Sequence, residues 1–405
     1  MKRKILIYLI IILFPIEIYA KEPEINSNHA ILYNLNDNTI LYEKNSEEKT
    51  SIASLTKIMT SIIVLEQIKN LDEKVTITEE DYQGLREQNA ATAGFQIGEE
   101  VTYKDLLYGL MLPSGAEAAK SLCRNTFQTE KNCIQKMNEK AKELNLKNTH
   151  FENPTGLDDE NHYSTVKDTL MLWKYALQNS SFLEIINKKA YTTSNKNHTF
   201  KSTIARTMEK YNIQMDYIIG GKTGTTENAG LSLATIAEKN KIKYLLVTTQ
   251  APYNQQKPYH FEDAKNLYEY FMNNYGYHII YKKGEKLVTL KTKYIKEKEI
   301  TFKTSKKKKI YLPNTFKKEE LVYKYTGKKV ITHKMKKGEN IWKIIIYYND
   351  KPIDTINIIL NKKQRFSIIR YLQQNKDYKK TIIYAIILYL AVNIIKRLFL
   401  KTTKK

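Results

Sequence analysis

Three short runs carry groups able to do covalent chemistry. SIASLTKIMT sets Ser54 and Lys57 three residues apart, MLPSGAEAAK holds Ser114-Gly115-Ala116, and IIGGKTGTTENAG holds Lys222-Thr223-Gly224. At helical spacing Ser54 and Lys57 project from one face, one turn apart. A serine hydroxyl is a weak nucleophile until a base takes its proton. An amine can be that base only when neutral, which requires burial or a neighbouring cation. Lys222 is the candidate cation, and Ser114 supplies a second hydroxyl. Gly220, Gly221 and Gly224 clear side chains from a strand edge that must approach a substrate closely. Lys222 and Thr223 add donors suited to a carboxylate. A phosphate loop is excluded, because the Gly-x-x-x-x-Gly-Lys spacing is absent. Each run alone is common, since Ser54 could cap a helix and Lys57 point to solvent. Three in this order and context describe a serine acylation site.

These groups need a scaffold, and the flanking pattern supplies one. Residues 30–43 alternate as a β-hairpin around Asn36-Asp37-Asn38. A helical stretch begins near Ser54. Thr102-Tyr103-Lys104-Asp105 has capping-box form and opens a helix that ends at Pro113. Helical patterns dominate 116–146, and Asn153-Pro154-Thr155-Gly156 is turn chemistry. Strands are expected at 217–222, 230–237 and 242–250, then an amphipathic helix over 261–275. Strands at both ends with helices between them predict an α+β fold, a helical cluster packed on an antiparallel sheet. Beyond Tyr275 short Lys-alternating strands and a hairpin turning at Asn349-Asp350 predict a small all-β domain.

The charge changes at the same place. The formal net charge is +23, and from Tyr275 onward 34 Lys or Arg stand against 9 Asp or Glu. The chain before it is nearly neutral. Such a field favours lipid headgroups or acidic wall polymers. Lys2, Arg3 and Lys4 before an apolar run read as an export signal ending near Ala20, which argues against nucleic acid as a partner. Residues 381–395 carry no charge, are apolar on all sides and lie between basic pairs, as in a membrane-spanning anchor. The expected division is a signal peptide over 1–20, a catalytic domain over 21–275, a basic β-rich domain over 276–375 and an anchor with basic tail over 376–405. Cys123 and Cys133 fit either a disulfide, which export permits, or two buried thiols. The histidines and cysteines show no metal spacing, and no cofactor is called for.

With these residues in view, the chain resembles the serine-type D-alanyl-D-alanine carboxypeptidases, the low-molecular-mass penicillin-binding proteins. VTYKDLLYGLMLPSGAEAA, HFENPTGLDDENHYST and HFEDAKNLYEYF share that likeness, which runs from about His29 to Tyr275. The resemblance implies that Ser54 is acylated, Lys57 is its base and Ser114 relays protons. It also implies that Lys222, Thr223 and Gly224 bind the substrate carboxylate, and that the N–H groups of Ser54 and Thr225 form an oxyanion hole. The partners implied are a peptidoglycan pentapeptide ending in D-Ala-D-Ala and β-lactams as covalent inhibitors, met at the outer face of the cell membrane. Two positions depart from the family pattern. Ala116 stands where an asparagine is usual, and His260 stands where a basic residue, often arginine, precedes the Phe of the FEDAK segment. A histidine there would make carboxylate binding pH-dependent. A class A β-lactamase would need a deacylating glutamate in an E-x-x-x-N loop, and Glu184 to Asn187 has the wrong spacing. A catalytically weak wall-binding scaffold is the other rival, resting on Ala116 alone.

Overall fold

The computed structural model describes residues 22–402; the expected export signal lies outside them. The chain divides into two units after Asn274. In the first, β1 (His29–Asn34) and β2 (Thr39–Lys44) form the expected hairpin, with Asn38 at φ 61° in its turn. Then come α1 (Lys57–Gln67), the paired β3 (Lys74–Thr76) and β4 (Glu100–Thr102), α2 (Tyr103–Met111), α3 (Ala116–Phe127) and α4 (Glu130–Glu143). After α5 (Val166–Ala176) and α6 (Ser180–Asn187), a second small ladder joins β5 (Ala190–Thr192) to β6 (Thr199–Lys201), followed by α7 (Thr203–Lys210). The unit closes with β7 (Ile218–Thr226), β8 (Gly230–Lys239), β9 (Ile242–Ala251) and α8 (Tyr259–Asn274).

Five strands make one antiparallel sheet in the order β2-β1-β9-β8-β7. Alternation along β8 sets its two faces. Ala234 and Ile236 enter the main core with Leu55, Ile58, Leu106 and Trp173, so the helical cluster covers that face. Thr235 points the other way, and its hydroxyl lies 2.9 Å from the Tyr268 hydroxyl on α8. Thus α8 covers the opposite face. The Thr102 hydroxyl accepts from the Asp105 N–H at 3.0 Å while Asp105 Oδ2 accepts from the Thr102 N–H at 3.0 Å, which fixes the start of α2. Cys123 on α3 and Cys133 on α4 are bonded to each other, which resolves the two readings left open in favour of the disulfide.

The second unit contains β10 (Tyr275–Tyr281), β11 (Lys286–Lys293), β12 (Glu299–Lys303), β13 (Lys308–Pro313), β14 (Val322–Gly327), β15 (Val330–Thr332), β16 (Asn340–Tyr348) and β17 (Lys351–Ile359). These pair as β10-β13, β12-β11-β15 and β14-β16-β17, around a core that includes Ile280, Leu290, Ile331, Ile344 and Ile346. Asn349 and Asp350 both take positive φ in the β16–β17 turn, the requirement of a type I′ hairpin. A short α9 (Ile368–Gln374) leads into α10 (Lys376–Thr402), in which Asp377–Lys396 is long and apolar enough to cross a membrane.

Candidate active site

Ser54, the expected nucleophile, does not sit inside the α-helix that its spacing suggests. Ala53–Thr56 is a 3-10 turn, closed by the Leu55 N–H on the Ile52 carbonyl at 3.1 Å, and α1 begins only at Lys57. Ala53, the first residue of that turn, is held at φ 46°, outside right-handed helical space. The tighter turn still stacks Ser54 against Lys57, and Lys57 Nζ lies 2.8 Å from Ser54 Oγ. The amine also donates to the Thr155 carbonyl at 2.7 Å. Only 2 % of Lys57 is exposed. Burial lowers its pKa to about 7, against a smaller upward pull from Glu117. The cause is therefore desolvation, the first of the two expected from the sequence, and not the charge of Lys222.

The Thr155 carbonyl is held in place by a loop that the sequence marked only as a turn. Asn153 Oδ1 accepts from the Thr155, Gly156 and Leu157 N–H groups and from the Thr155 hydroxyl, at 2.7 to 3.2 Å. The Thr60 hydroxyl on α1 donates to the Pro154 carbonyl at 2.7 Å. Gly156, at φ +81°, passes so close to the nucleophile's turn that a Cβ there would lie 1.9 Å from the Ala53 carbonyl oxygen. Below it, His162 is buried and its pKa falls to about 4, chiefly by desolvation. Its Nδ1 accepts from the Glu152 N–H at 3.2 Å, so the ring proton sits on Nε2 and is donated to the Thr56 hydroxyl at 2.8 Å. Asp158 ties this loop to the sheet by accepting from the Thr226 hydroxyl at 2.7 Å and the Asn228 N–H at 3.1 Å.

The other two motifs meet through Lys222 and Ser114. Lys222 Nζ, fully buried on β7, donates to Ser114 Oγ at 2.9 Å and to the Thr223 carbonyl at 2.6 Å. Ser114 adopts φ 73° between α2 and α3, a left-handed conformation that costs about 1–2 kcal/mol for a residue with a Cβ. Such residues concentrate at functional sites. Burial, then Lys57, then Arg206 hold the Lys222 amine well below its usual range. The Thr223 hydroxyl donates to the Thr203 hydroxyl at 2.8 Å, which ties β7 to the start of α7. β7 is the sheet's edge strand, so no further strand pairs with its outer side. At Gly224 a Cβ would stand 2.9 Å from Ala53 Cβ and 3.0 Å from the Ser54 nitrogen, so glycine lets this edge run beside Ser54.

Ser54, Lys57, Ala116, Thr155 and Thr225 line one cavity of about 690 Å³. Ser114, Lys222, Thr223, Gly224 and His260 are not among its lining residues. His260 lies in the first turn of α8, is buried, and desolvation lowers its pKa to about 4, so at neutral pH it carries no charge for a carboxylate. Several contributors were silent in the sequence. Glu117 is fully buried at the start of α3, and its Oε1 accepts from the Ala93 and Gly94 N–H groups at 2.6 and 2.8 Å. That clamps the loop whose residues Gln88 to Ala91 form the cavity's far wall. Asp158 and Arg206 act across long sequence separations that no local pattern records.

A family profile described as D-alanyl-D-alanine carboxypeptidase matches residues 17–253, and one described as penicillin-binding protein 5, C-terminal domain, matches 275–364. The D-alanyl-D-alanine carboxypeptidase DacF of Bacillus subtilis is 31% identical over 281 residues, covering 68% of this chain and 70% of that protein. A mutant of the Streptomyces K15 DD-transpeptidase superposes with TM-score 0.56 at 32% identity, over 61% of this chain and 98% of its own. Penicillin binding protein 5 of Haemophilus influenzae shares the fold at TM-score 0.63 and 24% identity, over 84% of this chain and 98% of its own.

Proposed function

The chain belongs to the D-alanyl-D-alanine carboxypeptidase family of serine hydrolases, and from that premise we propose how its residues remove a terminal D-alanine from peptidoglycan stem peptides. The observation that carries the mechanism is the buried Lys57 amine at 2.8 Å from Ser54 Oγ. An amine of pKa 10.5 is neutral in about one molecule in three thousand at pH 7, whereas one at about 7 is neutral in about half. Neutral Lys57 keeps one N–H on the Thr155 carbonyl and turns its lone pair to the Ser54 hydroxyl. Ser54 Oγ attacks the carbonyl of the terminal peptide bond as its proton passes to Lys57. The Ser54 and Thr225 N–H groups receive the oxyanion. The C–N bond then breaks, and the departing amine takes a proton relayed through Lys57 and Ser114, leaving an ester on Ser54. Water, deprotonated by the same base, releases the shortened peptide. A β-lactam acylates Ser54 likewise, but its leaving nitrogen stays tethered and obstructs that water.

The substrate's terminal carboxylate is assigned to Lys222, the Thr223 hydroxyl and the Gly224 backbone, with Arg206 as a second cation near Lys222. Burial leaves the Lys222 amine easily deprotonated, and an arriving carboxylate favours its charged form, so binding is coupled to protonation. His260 supplies no cation and is left outside this scheme. The basic unit and the helix over Asp377–Lys396 are read as a membrane-held support at the outer face of the membrane, after export. The test is direct. The full chain incubated with a peptide ending in D-Ala-D-Ala should release D-alanine, and the Ser54→Ala chain should not. Equal release by both would overturn the assignment.

A further inference from the structure

The second unit carries a cavity of about 540 Å³ whose walls include Lys296, Lys303, Lys362, Lys363 and Arg365 against a single acid, Glu297. All five cations are exposed, and none of them pairs with a carboxylate among the described residues. Unpaired cations gathered around a concave surface make a site for an anion. Its position says which anion. Residues 366–374 are fastened to the strand end beside the cavity. Phe366 bridges to Ile295, the Ser367 N–H donates to the Tyr294 carbonyl at 2.9 Å, and the Tyr294 N–H donates to Gln374 Oε1 at 2.9 Å. Tyr371 contacts Tyr294 at 4.7 Å and Tyr378 at 5.4 Å between ring centroids, so aromatic packing runs from the β-domain into the first turn of α10. Phe366, Ile368 and Ile369 are 50%, 66% and 66% exposed beside this cluster. Aromatic rings with exposed apolar side chains are the signature of a membrane interface.

We propose that this cavity binds the phosphate headgroups of anionic phospholipids in the leaflet that the α10 helix enters. The inference rests on the reading of Asp377–Lys396 as a membrane span. A soluble polyanion would gain nothing from the exposed Phe366, Ile368 and Ile369 at the rim, whereas a lipid offers its headgroup to the cations and its chains to those residues. Headgroup contact would hold the β-domain at a fixed distance from the bilayer, in addition to the tether provided by the helix.

The test needs no variant. The full chain is reconstituted in vesicles of phosphatidylcholine alone, or with three parts in ten phosphatidylglycerol. Lysines are labelled with an amine-reactive ester and read by peptide mass spectrometry. Phosphatidylglycerol should lower labelling of Lys296, Lys303, Lys362 and Lys363 by roughly five-fold. Lys324, Lys329, Lys337 and Lys351 of the same unit should not change. High salt should restore labelling. Unchanged labelling of the four, or an equal fall at all eight, overturns the proposal. Protection in phosphatidylcholine vesicles by soluble poly(glycerol phosphate), without protection by phosphatidylglycerol, also overturns it and assigns the cavity to a soluble polyanion. Carbonate extraction from the phosphatidylcholine vesicles reports separately on the helix. Extraction there would sink the spanning reading while the labelling result stands on its own.

Discussion

Replacing Lys57 by methionine should separate catalysis from stability. The variant keeps most of the side-chain volume and removes the buried amine. With a folded pKa of about 7 against 10.5 in the unfolded chain, ionisation of this one group opposes folding by about 4 kcal/mol at pH 7. Methionine removes that cost but forfeits the contacts to Ser54 Oγ and the Thr155 carbonyl, worth about 1 kcal/mol each. The variant should therefore be more stable than the parent at pH 7 by about 2 kcal/mol, while acylation falls by about 10²–10⁴-fold through loss of the base. The sign with pH is definite. Between pH 7 and 10.5 the unfolded chain keeps a proton that the folded chain has shed, so the parent gains stability as pH rises through that window. The advantage of the variant should shrink and then reverse. Urea unfolding followed by the buried Trp173, in a Trp342→Phe background so that only the first unit reports, measures this difference directly. A variant less stable than the parent at pH 7, or a difference that does not move between pH 7 and 10, would refute a neutral, desolvated amine.

Further outcomes follow from the same geometry. The rate of β-lactam acylation by the parent should rise with pH through an apparent pKa of about 7, and Glu117→Gln, which removes a charge that pulls this value up, should shift the rise to lower pH in stopped-flow measurements. Gly156→Ala places a Cβ against the Ala53 carbonyl at a positive φ, so thermal unfolding should show a loss of about 1–3 kcal/mol together with slower acylation. Deleting the chain from Thr381 onward should release the protein from membranes and leave hydrolysis of soluble peptide intact; a truncated chain that still sediments with membranes would assign retention to the basic unit.

What was legible in the sequence was what local chemistry specifies. The Asn36–Asn38 turn, the capping box at Thr102 and the Asn349-Asp350 hairpin are each written in adjacent residues, and each appears as expected. The α+β architecture followed from element order. The helical stretch begins where expected, but its first turn is 3-10 rather than α, a distinction that the short-range residue pattern does not carry. The parts of the site that stayed hidden depend on distant partners. Thr155 meets Lys57 across 98 positions, and Glu117 reaches back to Ala93 across 24. A buried glutamate reads in sequence like any other charged residue at the start of a helix. Of the two causes the sequence allowed for the Lys57 shift, burial acts and the Lys222 charge does not, a choice that only the assembled core makes.

The central claim is that Ser54, poised by Lys57, is the acylated residue. Incubating the full chain with benzylpenicillin and weighing its proteolytic peptides tests it most directly. One antibiotic should be found covalently attached, on the peptide carrying Ser54, and the Ser54→Ala chain should carry none. An adduct on Ser114 or elsewhere in the parent, or one surviving Ser54→Ala, would contradict it.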